Sequence, residues 1–423
     1  MKRLNILAFL LLAAPLVILF VALRHAAINV PYWDQWELVG LLAKNHQHAL
    51  TFFDLSAQHN EHRIFFPRLV MLGLASLSGW DTRWEIWAGA LMLLATTGLL
   101  ARAHLRFETS ASRGVWLFAP VLWLLLSFRQ SHNLFWGWQI QIFMCQFFAV
   151  VACLALATHR RWTALGIAVV ASIAASYSFA AGLGLWPVGI ACLVAYRSWR
   201  QLAVWLLASA AVLTSYFVSY VKPGGHPSIW AFLEQPVHAL RVFAEGLGGT
   251  LGWSPTAATV MGTIVLALTA YLAGLAVQGH LDATRFAIAL PFLLFSAATA
   301  ALVVLGRAGF DAEYGFASRY TTLCGLGLFG LHQGILATRP AVRQRLFTVF
   351  LALAVVGAGS SIHAGLADVD VTRGQRLEMR ATLLSFEDRT DTELAQLYPQ
   401  GAIVRERAPV LRHLGLSVFR PRR

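Results

Sequence analysis

The stretch Pro31-Tyr32-Trp33-Asp34-Gln35-Trp36-Glu37 places two carboxylates among three aromatic rings, shortly after a long apolar run. That run, residues 4–23, has about the twenty residues that a helix needs to cross a bilayer. A second polar cluster, His59-Asn60-Glu61-His62-Arg63, lies in the same segment between residues 24 and 82. Most of the chain beyond it is apolar. Segment 24–82 is therefore expected to carry functional groups beside a membrane-spanning body.

The composition is that of a membrane protein. Hydrophobic residues make up 58% of the 423-residue chain and charged residues only 13%, about half the charged fraction of a soluble protein. Because long apolar runs recur, the expected fold class is an all-α polytopic membrane protein. The net charge of +13 is explained by basic cytoplasmic loops, so no nucleic acid is expected as a partner. The four cysteines lie inside apolar runs and form no metal or disulfide pattern.

About eleven transmembrane helices are predicted, with the N-terminus in the cytoplasm. Arg24-His25 follows the first run in place of a small-residue cleavage site, which favours an uncleaved span over a signal peptide. Basic clusters follow every even-numbered span, as expected of cytoplasmic loops: residues 102–113, 159–161, 197–200, 280–285 and 339–345. The predicted spans are 4–23, 83–101, 114–128, 141–157, 163–180, 183–196, 202–220, 256–277, 286–305, 321–337 and 346–364.

The loops on the far side divide the chain into two parts. Residues 1–365 form the predicted transmembrane domain, with residues 24–82 as its first outer loop. Residues 64–78 contain Pro67 and Arg68 and are interpreted as an interfacial or re-entrant helix, with a short span as the alternative. Residues 366–423 are predicted to form a small extracytoplasmic segment, whose modest core comprises Leu384, Leu394, Leu397 and Val404. The expected location is the cytoplasmic (inner) membrane, with the C-terminus outside, on the periplasmic face.

Asp34 and Glu37 are the first candidates for catalytic residues. They are spaced i, i+3, so both lie on one face if residues 32–43 form a helix. A carboxylate held at headgroup depth between Trp33 and Trp36 suits a general base. The alternative is a solvated loop acid beside the aromatic belt that membrane proteins carry at the interface.

The His59–Arg63 cluster is denser in polar groups. Glu61, a third catalytic candidate, and His62 are suited to binding a metal, holding an acceptor or activating a hydroxyl. The alternative is a helix N-terminus, with Asn60 as its cap and Arg63 at the lipid headgroups. The spacing is not an established zinc pattern. Metal ligands therefore stay unassigned, no cofactor is certain, and a divalent cation such as Mg²⁺ or Mn²⁺ stays open.

Cationic residues on several outer loops complete the predicted site. An arginine at the end of a span usually extends to the lipid headgroups. Arginines facing an acidic pair would instead form a bipartite site, with cations for a phosphate and carboxylates for a hydroxyl. The substrate-binding candidates are His62, Arg63, Arg129, His132, Arg307, Arg319 and Tyr320.

The layout resembles the GT-C superfamily of polytopic glycosyltransferases. A single span is followed by an acid on an aromatic-rich juxtamembrane helix, a second juxtamembrane helix, many spans and an outer C-terminal segment. In motif the resemblance rests on Trp33-Asp34-Gln35-Trp36-Glu37, on Asn60-Glu61-His62-Arg63 and more faintly on Ser318-Arg319-Tyr320. The superfamily's first-loop acid corresponds to Asp34. The tighter acid-x-acid pair of some members is replaced here by Asp34-Gln35-Trp36-Glu37.

The resemblance implies a reaction. The donor would be a polyprenyl-phosphate or polyprenyl-diphosphate sugar, with its lipid between spans and its phosphate at outer arginines. Asp34 would deprotonate a hydroxyl of an envelope acceptor (lipid, glycan or protein), which attacks the anomeric carbon with inversion. Glu61 or Glu37 would orient the acceptor or a cation. The implied partners are the lipid-linked donor, the acceptor and membrane lipid.

Two other classes of protein compete with the transferase. A transporter or flippase for a lipid-linked or anionic substrate usually keeps charge inside its spans, whereas here the outer loops hold most of the polar groups. A scaffold of an envelope complex would need no crowded first loop. The sequence therefore favours a membrane glycosyltransferase, and the sugar and the acceptor stay unidentified.

Overall fold

The computed structural model describes residues 2–158, 161–225, 227–310 and 314–421. Within these ranges the chain forms α-helices and short 3₁₀ helices, with no strand except one isolated β-bridge. His159 and Arg160, two basic positions expected in a cytoplasmic loop, lie outside the described residues. The all-α class expected from the composition is therefore correct for the described part of the chain.

The helices follow the apolar runs of the sequence. The first apolar helix and the short helices after it are α1 (Lys2–Ala26), α2 (Leu38–His46), α3 (Phe52–Ser56) and α4 (Phe65–Ser78). The main body contains α5 (Arg83–Leu105), α6 (Ala111–Leu125), α7 (Ser131–Leu134), α8 (Ile140–Leu156), α9 (Trp162–Ser176), α10 (Leu185–Ala195), α11 (Trp199–Phe217), α12 (Ala231–Glu234), α13 (Pro236–Gly248), α14 (Pro255–Val277), α15 (Ala283–Arg307), α16 (Ser318–Cys324) and α17 (Leu326–Leu336). The chain ends with α18 (Pro340–Leu384), α19 (Asp391–Leu394) and α20 (Gly401–His413).

Several helix starts follow ordinary capping chemistry. The Ser254 hydroxyl accepts a hydrogen bond from the backbone N–H of Ala257 at the start of α14, where Pro255 occupies the first turn. Asp282 caps α15 in the same way, accepting from the backbone N–H of Arg285 at 2.7 Å. Such caps satisfy backbone donors that have no partner inside the helix. Polar residues at the ends of apolar runs therefore set where these helices begin.

Within the described residues, seven segments are long and apolar enough to cross a membrane: Phe9–Ala26, Arg83–Leu105, Ala111–Leu134, Gly137–Leu156, Pro255–Val277, Ala283–Arg307 and Pro340–Leu384. The chain is therefore consistent with a multi-pass membrane protein. The other predicted spans fall on shorter helices or less apolar ones. The 15 residues of α9 reach only about 22 Å at 1.5 Å per residue, less than the ~30 Å core of a bilayer. The count of eleven stays a prediction.

The last long helix, α18, crosses the predicted domain boundary. It runs without interruption for 45 residues, from Pro340 to Leu384, which is about 68 Å at the α-helical rise. The boundary at 365/366 lies inside it. The apolar half of this helix therefore continues directly into the polar segment that the sequence set apart.

The C-terminal segment and the first outer loop share one hydrophobic core. From the C-terminal segment, Leu394, Leu397 and Val404 are fully buried, as expected. The prediction of Leu384 as a core residue was wrong: Leu384 is 46% exposed, and its neighbour Leu383 is fully buried in its place. The first-loop side of this core comprises Val30, Trp36, Leu38, Val39, Leu42, Ile64, Met71, Leu72, Ala75 and Trp80.

A buried polar network lies at the end of the bundle opposite this core. Arg285 on α15 donates to Glu108 Oε1 at 3.0 Å and contacts His104 Nδ1 of α5 at 3.2 Å. Gln333 on α17 lies 3.1 Å from both His104 Nδ1 and His332 Nδ1. Because these groups partner one another, residues assigned by sequence to separate loops join α5, α15 and α17.

Candidate active site

The predicted helix over residues 32–43 is divided in two. Trp33–Glu37 form a 3₁₀ helix, and α2 begins at Leu38. Trp33 has a φ of 48°, a left-handed conformation that is uncommon for a bulky residue. Its backbone N–H donates to the carbonyl of Leu397 at 2.7 Å. The C-terminal segment therefore holds the residue next to Asp34 in an unfavourable backbone conformation, as often occurs at functional sites.

Side-chain hydrogen bonds fix the same turn from the other side. Gln35 Nε2 donates to Glu85 Oε2 at 2.5 Å, and Trp80 Nε1 donates to Glu85 Oε1 at 3.0 Å. Trp136 Nε1 donates to the carbonyl of Tyr32 at 3.1 Å. Glu85 is buried at the start of α5. The sequence prediction missed Glu85, although a single acid at the start of an apolar run was a usable signal.

Glu37 is directed to the C-terminal segment. Its Oε1 accepts from the Tyr398 hydroxyl at 2.9 Å, and its Oε2 lies 3.2 Å from Arg407 Nη1. Partial burial and the hydrogen bond to Glu37 raise the pKa of Tyr398 to about 12. Arg407 also donates to the carbonyl of Trp36 at 2.7 Å. These contacts connect the first loop to the C-terminal segment.

The second cluster is a tight turn. The backbones of His59 and His62 exchange hydrogen bonds of 2.8 and 2.9 Å, so Asn60 and Glu61 form the tip, and Asn60 has a φ of 49°. The following helix, α4, begins only at Phe65. The alternative interpretation of Asn60 as a helix cap is therefore wrong.

The acids of the two turns each face a cation or an imidazole. Asp34 Oδ2 lies 3.5 Å from His59 Nε2. Glu61 forms an ion pair with the guanidinium of Arg307, and Arg307 Nε donates to the Tyr320 hydroxyl at 2.9 Å. Residues distant in sequence, in the first loop, at the end of α15 and on α16, therefore meet at one place.

His62 is held as a neutral imidazole. Its Nδ1 accepts from the backbone N–H of Ala180 at 3.2 Å, and its ring stacks on Phe179 with centroids 4.1 Å apart. Burial lowers the pKa of His62 to about 4, against the opposing effect of nearby Glu61. Because Nδ1 accepts, the proton of the neutral ring is on Nε2, which lies 3.8 Å from Glu61 Oε1.

These groups line one cavity of about 540 Å³, within the usual size range of small-molecule sites. Among the predicted site residues, the lining contains Asp34, Glu61, His62, Arg307, Arg319 and Tyr320. His59 and Trp33, which the prediction did not assign a role, line it as well. The wall also includes apolar side chains at the ends of α11 and α15, among them Phe217 and Leu305.

Four predicted site residues are not among those lining this cavity: Glu37, Arg63, Arg129 and His132. Arg63 donates to the carbonyls of Tyr216 at 2.6 Å and Val218 at 2.5 Å, so it satisfies the C-terminal end of α11. The guanidinium of Arg129 lies 4.0 Å above the ring of Phe316. The backbone N–H of His132 donates to Ser318 Oγ at 3.2 Å.

The donor set does not fit a resident divalent cation. Throughout the described part of the chain, no group of three or more His, Cys, Asp or Glu side chains is placed to hold a metal ion. At the turn, the carboxylate of Glu61 is already matched by the guanidinium of Arg307. Oxygen-rich coordination of Mg²⁺ would need carboxylates converging on one point.

Comparison with protein-family models, with curated protein sequences and with solved structures finds no significant match for this chain. The geometry of the cavity is therefore the basis of the functional argument.

Proposed function

We propose that the protein is a membrane glycosyltransferase that moves a sugar from a polyprenyl-phosphate donor to an envelope acceptor. The observation that supports this most is a single cavity lined by a carboxylate, Asp34, and by two arginines, Arg307 and Arg319. Glycosyl transfer from a lipid phosphate needs those two functions: a base for the incoming hydroxyl and cations for the departing phosphate.

The apolar wall supports a lipid-linked donor over a water-soluble one. Phe217, Ile229 and Leu305 line the cavity and are each more than a third exposed. Polar groups and exposed apolar side chains therefore share one opening. A molecule with a phosphate head and an isoprenoid tail matches both surfaces, because burial of each CH₂ group contributes about 0.8 kcal/mol.

In the proposed reaction, the acceptor hydroxyl lies against Asp34 and loses its proton to that carboxylate. The oxygen forms a bond to the anomeric carbon, and the bond from that carbon to the phosphate oxygen breaks. The electron pair leaves with the polyprenyl phosphate, whose charge the arginines stabilise, and the anomeric centre is inverted. His59 restrains Asp34, and Arg307 holds Glu61 in place for the acceptor or the sugar.

We place this chemistry on the outer face of the cytoplasmic membrane. In that arrangement about eleven helices span the bilayer, the N-terminus lies in the cytoplasm, and the C-terminal segment covers the first loop outside. The basic clusters that follow even-numbered spans support this orientation.

The direct test is Asp34→Asn. The change keeps the size of the side chain and removes the base, so transfer should fall by roughly 10²–10⁴-fold, with donor binding and the melting temperature nearly unchanged. Transfer from polyprenyl-phosphate sugar is measured in purified protein without nucleotide. Arg319→Ala should instead weaken donor binding by roughly 10- to 100-fold, the equivalent of a charged hydrogen bond of about 1.5–3 kcal/mol. Arg319→Lys should restore part of the donor binding, since the ammonium keeps the positive charge but lacks the paired N–H donors of the guanidinium.

Folded Asp34→Asn protein with near wild-type transfer would remove Asp34 from the mechanism and make Glu61 the leading base. Movement of labelled polyprenyl-phosphate sugar across vesicles with no new glycosidic bond would support a flippase instead.

A further inference from the structure

Beyond the charged groups, the cavity is lined by three uncharged polar side chains that are almost completely buried. Gln139 directly precedes α8, Gln141 lies in the first turn of α8, and Thr299 lies on α15. Their exposed fractions are 6%, 4% and 1%. All three line the same 540 Å³ volume as Asp34 and Arg307.

Each of the three has a buried oxygen without a hydrogen-bond partner in the protein: Gln139 Oε1, Gln141 Oε1 and Thr299 Oγ1. Buried polar groups in folded proteins are nearly always paired. Three side chains in the wall of one cavity therefore have hydrogen-bonding capacity that the protein itself does not use.

We infer that these residues form the subsite for the transferred sugar, and that the subsite selects a neutral, hydroxyl-rich glycosyl group. Gln139, Gln141 and Thr299 exchange hydrogen bonds with its hydroxyls. This inference rests on the proposed function, because it assigns the glycosyl part of the proposed donor.

The position of Thr299 fits this assignment. It lies eight residues before Arg307 on α15, which is about 12 Å along the helix axis. A phosphate at Arg307 and a pyranose ring directed toward Thr299 occupy that interval. Trp33 and Trp136 line the same cavity, and we assign them to contact the C–H side of the sugar ring.

Charge selectivity follows from burial. An amino or carboxylate group on the sugar would lie beside amides and a hydroxyl that exclude water almost completely. A charge in such surroundings is strongly disfavoured unless an opposite charge pairs with it. In the proposed reaction Asp34 faces the acceptor hydroxyl and Arg319 faces the phosphate, and the carboxylate of Glu61 is matched by Arg307. The subsite therefore favours sugars whose polar groups are hydroxyls.

The test measures binding of four polyprenyl-phosphate ligands to purified protein in nanodiscs: the sugar-free lipid phosphate, a hexosyl form, a uronic-acid form and an amino-pentosyl form. We expect the hexosyl form to bind at least tenfold more tightly than the other three. Gln141→Leu and Thr299→Val should each remove about 3- to 10-fold of that gain, the value of a neutral hydrogen bond. Binding of the sugar-free lipid phosphate should be unchanged.

Two matched controls separate sugar recognition from folding. Thr96 also has a buried hydroxyl without a partner, but it lies on α5 and is not among the residues lining the cavity. Gln146 lies on α8 with Gln141, and its Nε2 donates to Thr322. Thr96→Val and Gln146→Leu should leave hexosyl selectivity intact. Gln141→Leu should keep or raise the melting temperature, because it removes an unpaired buried amide.

The outcomes distinguish the two proposals. Equal binding of the sugar-free and hexosyl lipids, preference for a charged sugar, or unchanged selectivity in the Gln141 and Thr299 variants overturns the sugar subsite alone. Failure of all four ligands to bind folded protein overturns the proposed function and the subsite with it.

Discussion

Asp34 and Glu37 are three residues apart and have entirely different surroundings. Asp34 lines the cavity beside His59, while Glu37 contacts Tyr398 and Arg407 of the C-terminal segment. In a 3₁₀ helix residues i and i+3 are nearly eclipsed, so spacing alone does not separate them. The C-terminal segment separates them, because it binds the carboxylate of Glu37 and leaves that of Asp34 at the cavity.

Glu37→Gln should therefore affect stability more than chemistry. The variant loses the ion pair to Arg407 and part of the bond to Tyr398. Both partners are partly exposed, so the cost should be about 1 kcal/mol. The melting temperature should fall by a few degrees while the transfer rate stays within about threefold of wild type. A 100-fold loss of rate at an unchanged melting temperature would instead assign Glu37 to the reaction.

His62 should make stability depend on pH. Burial lowers the pKa of His62 from its ordinary value of 6.5 to about 4 in the folded protein. The unfolded chain therefore binds more protons between pH 6.5 and pH 4. The contribution of neutral His62 to the free energy of unfolding is complete above pH 6.5 and is lost as the pH falls through the pKa of the folded protein. Protonation of Nδ1 also removes the acceptor for the Ala180 N–H.

Thermal unfolding of wild type and His62→Gln across pH 7.5 to 4 measures this effect. The wild-type melting temperature should drop more steeply between pH 6.5 and 4 than that of the variant. Parallel curves would show that His62 is not the group responsible.

At the scale of elements, the start of α5 positions the turn that contains Asp34. Glu85 accepts from both Gln35 and Trp80, and Gly137 packs so closely that an added Cβ would lie 2.6 Å from Glu85 Oε2. The carboxylate therefore connects the 3₁₀ helix, the end of the first loop and the segment before α8. Glu85 does not line the cavity, so it influences the proposed reaction through its hydrogen bond to Gln35, the neighbour of Asp34.

Glu85→Gln should lower the transfer rate without weakening donor binding. The new amide NH₂ faces a donor, Gln35 Nε2 or Trp80 Nε1, so one of the two bonds is lost and the turn shifts. A displacement of about 1 Å at a reacting group costs on the order of 100-fold in rate. The rate constant and the donor dissociation constant are measured separately. Asp81→Asn, which alters a nearby acid that pairs with Arg83, serves as the control and should leave both values unchanged.

At the scale of the whole molecule, polar groups collect at two ends of an apolar bundle. One end contains the first loop, the C-terminal segment and the proposed site. The other contains the network of Arg285, Glu108 and His104. If the basic loops are cytoplasmic, these ends face opposite sides of a membrane.

Single cysteines at residues 60, 110, 340 and 400 test this orientation. The four native cysteines are buried, so labelling with a membrane-impermeant reagent should report the added ones. The expected result in intact cells is labelling at 60 and 400 and protection at 110 and 340. Residues 60 and 110 reacting from the same side would reject the arrangement.

The sequence by itself determined the class of fold. Continuous apolar runs of membrane length and a low charged fraction indicate helices, because a helix in a bilayer core pairs its backbone groups within one segment of the chain. It also indicated the first loop, since Asp34, Glu61 and His62 are conspicuous in an apolar chain. The buried Leu394, Leu397 and Val404 followed from hydrophobicity alone.

Only the tertiary structure decided which polar residues share a cavity. Arg307 and Glu61 are 246 positions apart, and no local pattern records that pairing. Arg63, equally prominent in sequence, instead satisfies carbonyls at the end of α11. Gln139, Gln141 and Thr299 carry no sequence signal, because uncharged polar residues in apolar helices acquire meaning only from what faces them. Local composition determines each helix and loop, whereas contacts between residues distant in sequence determine the site.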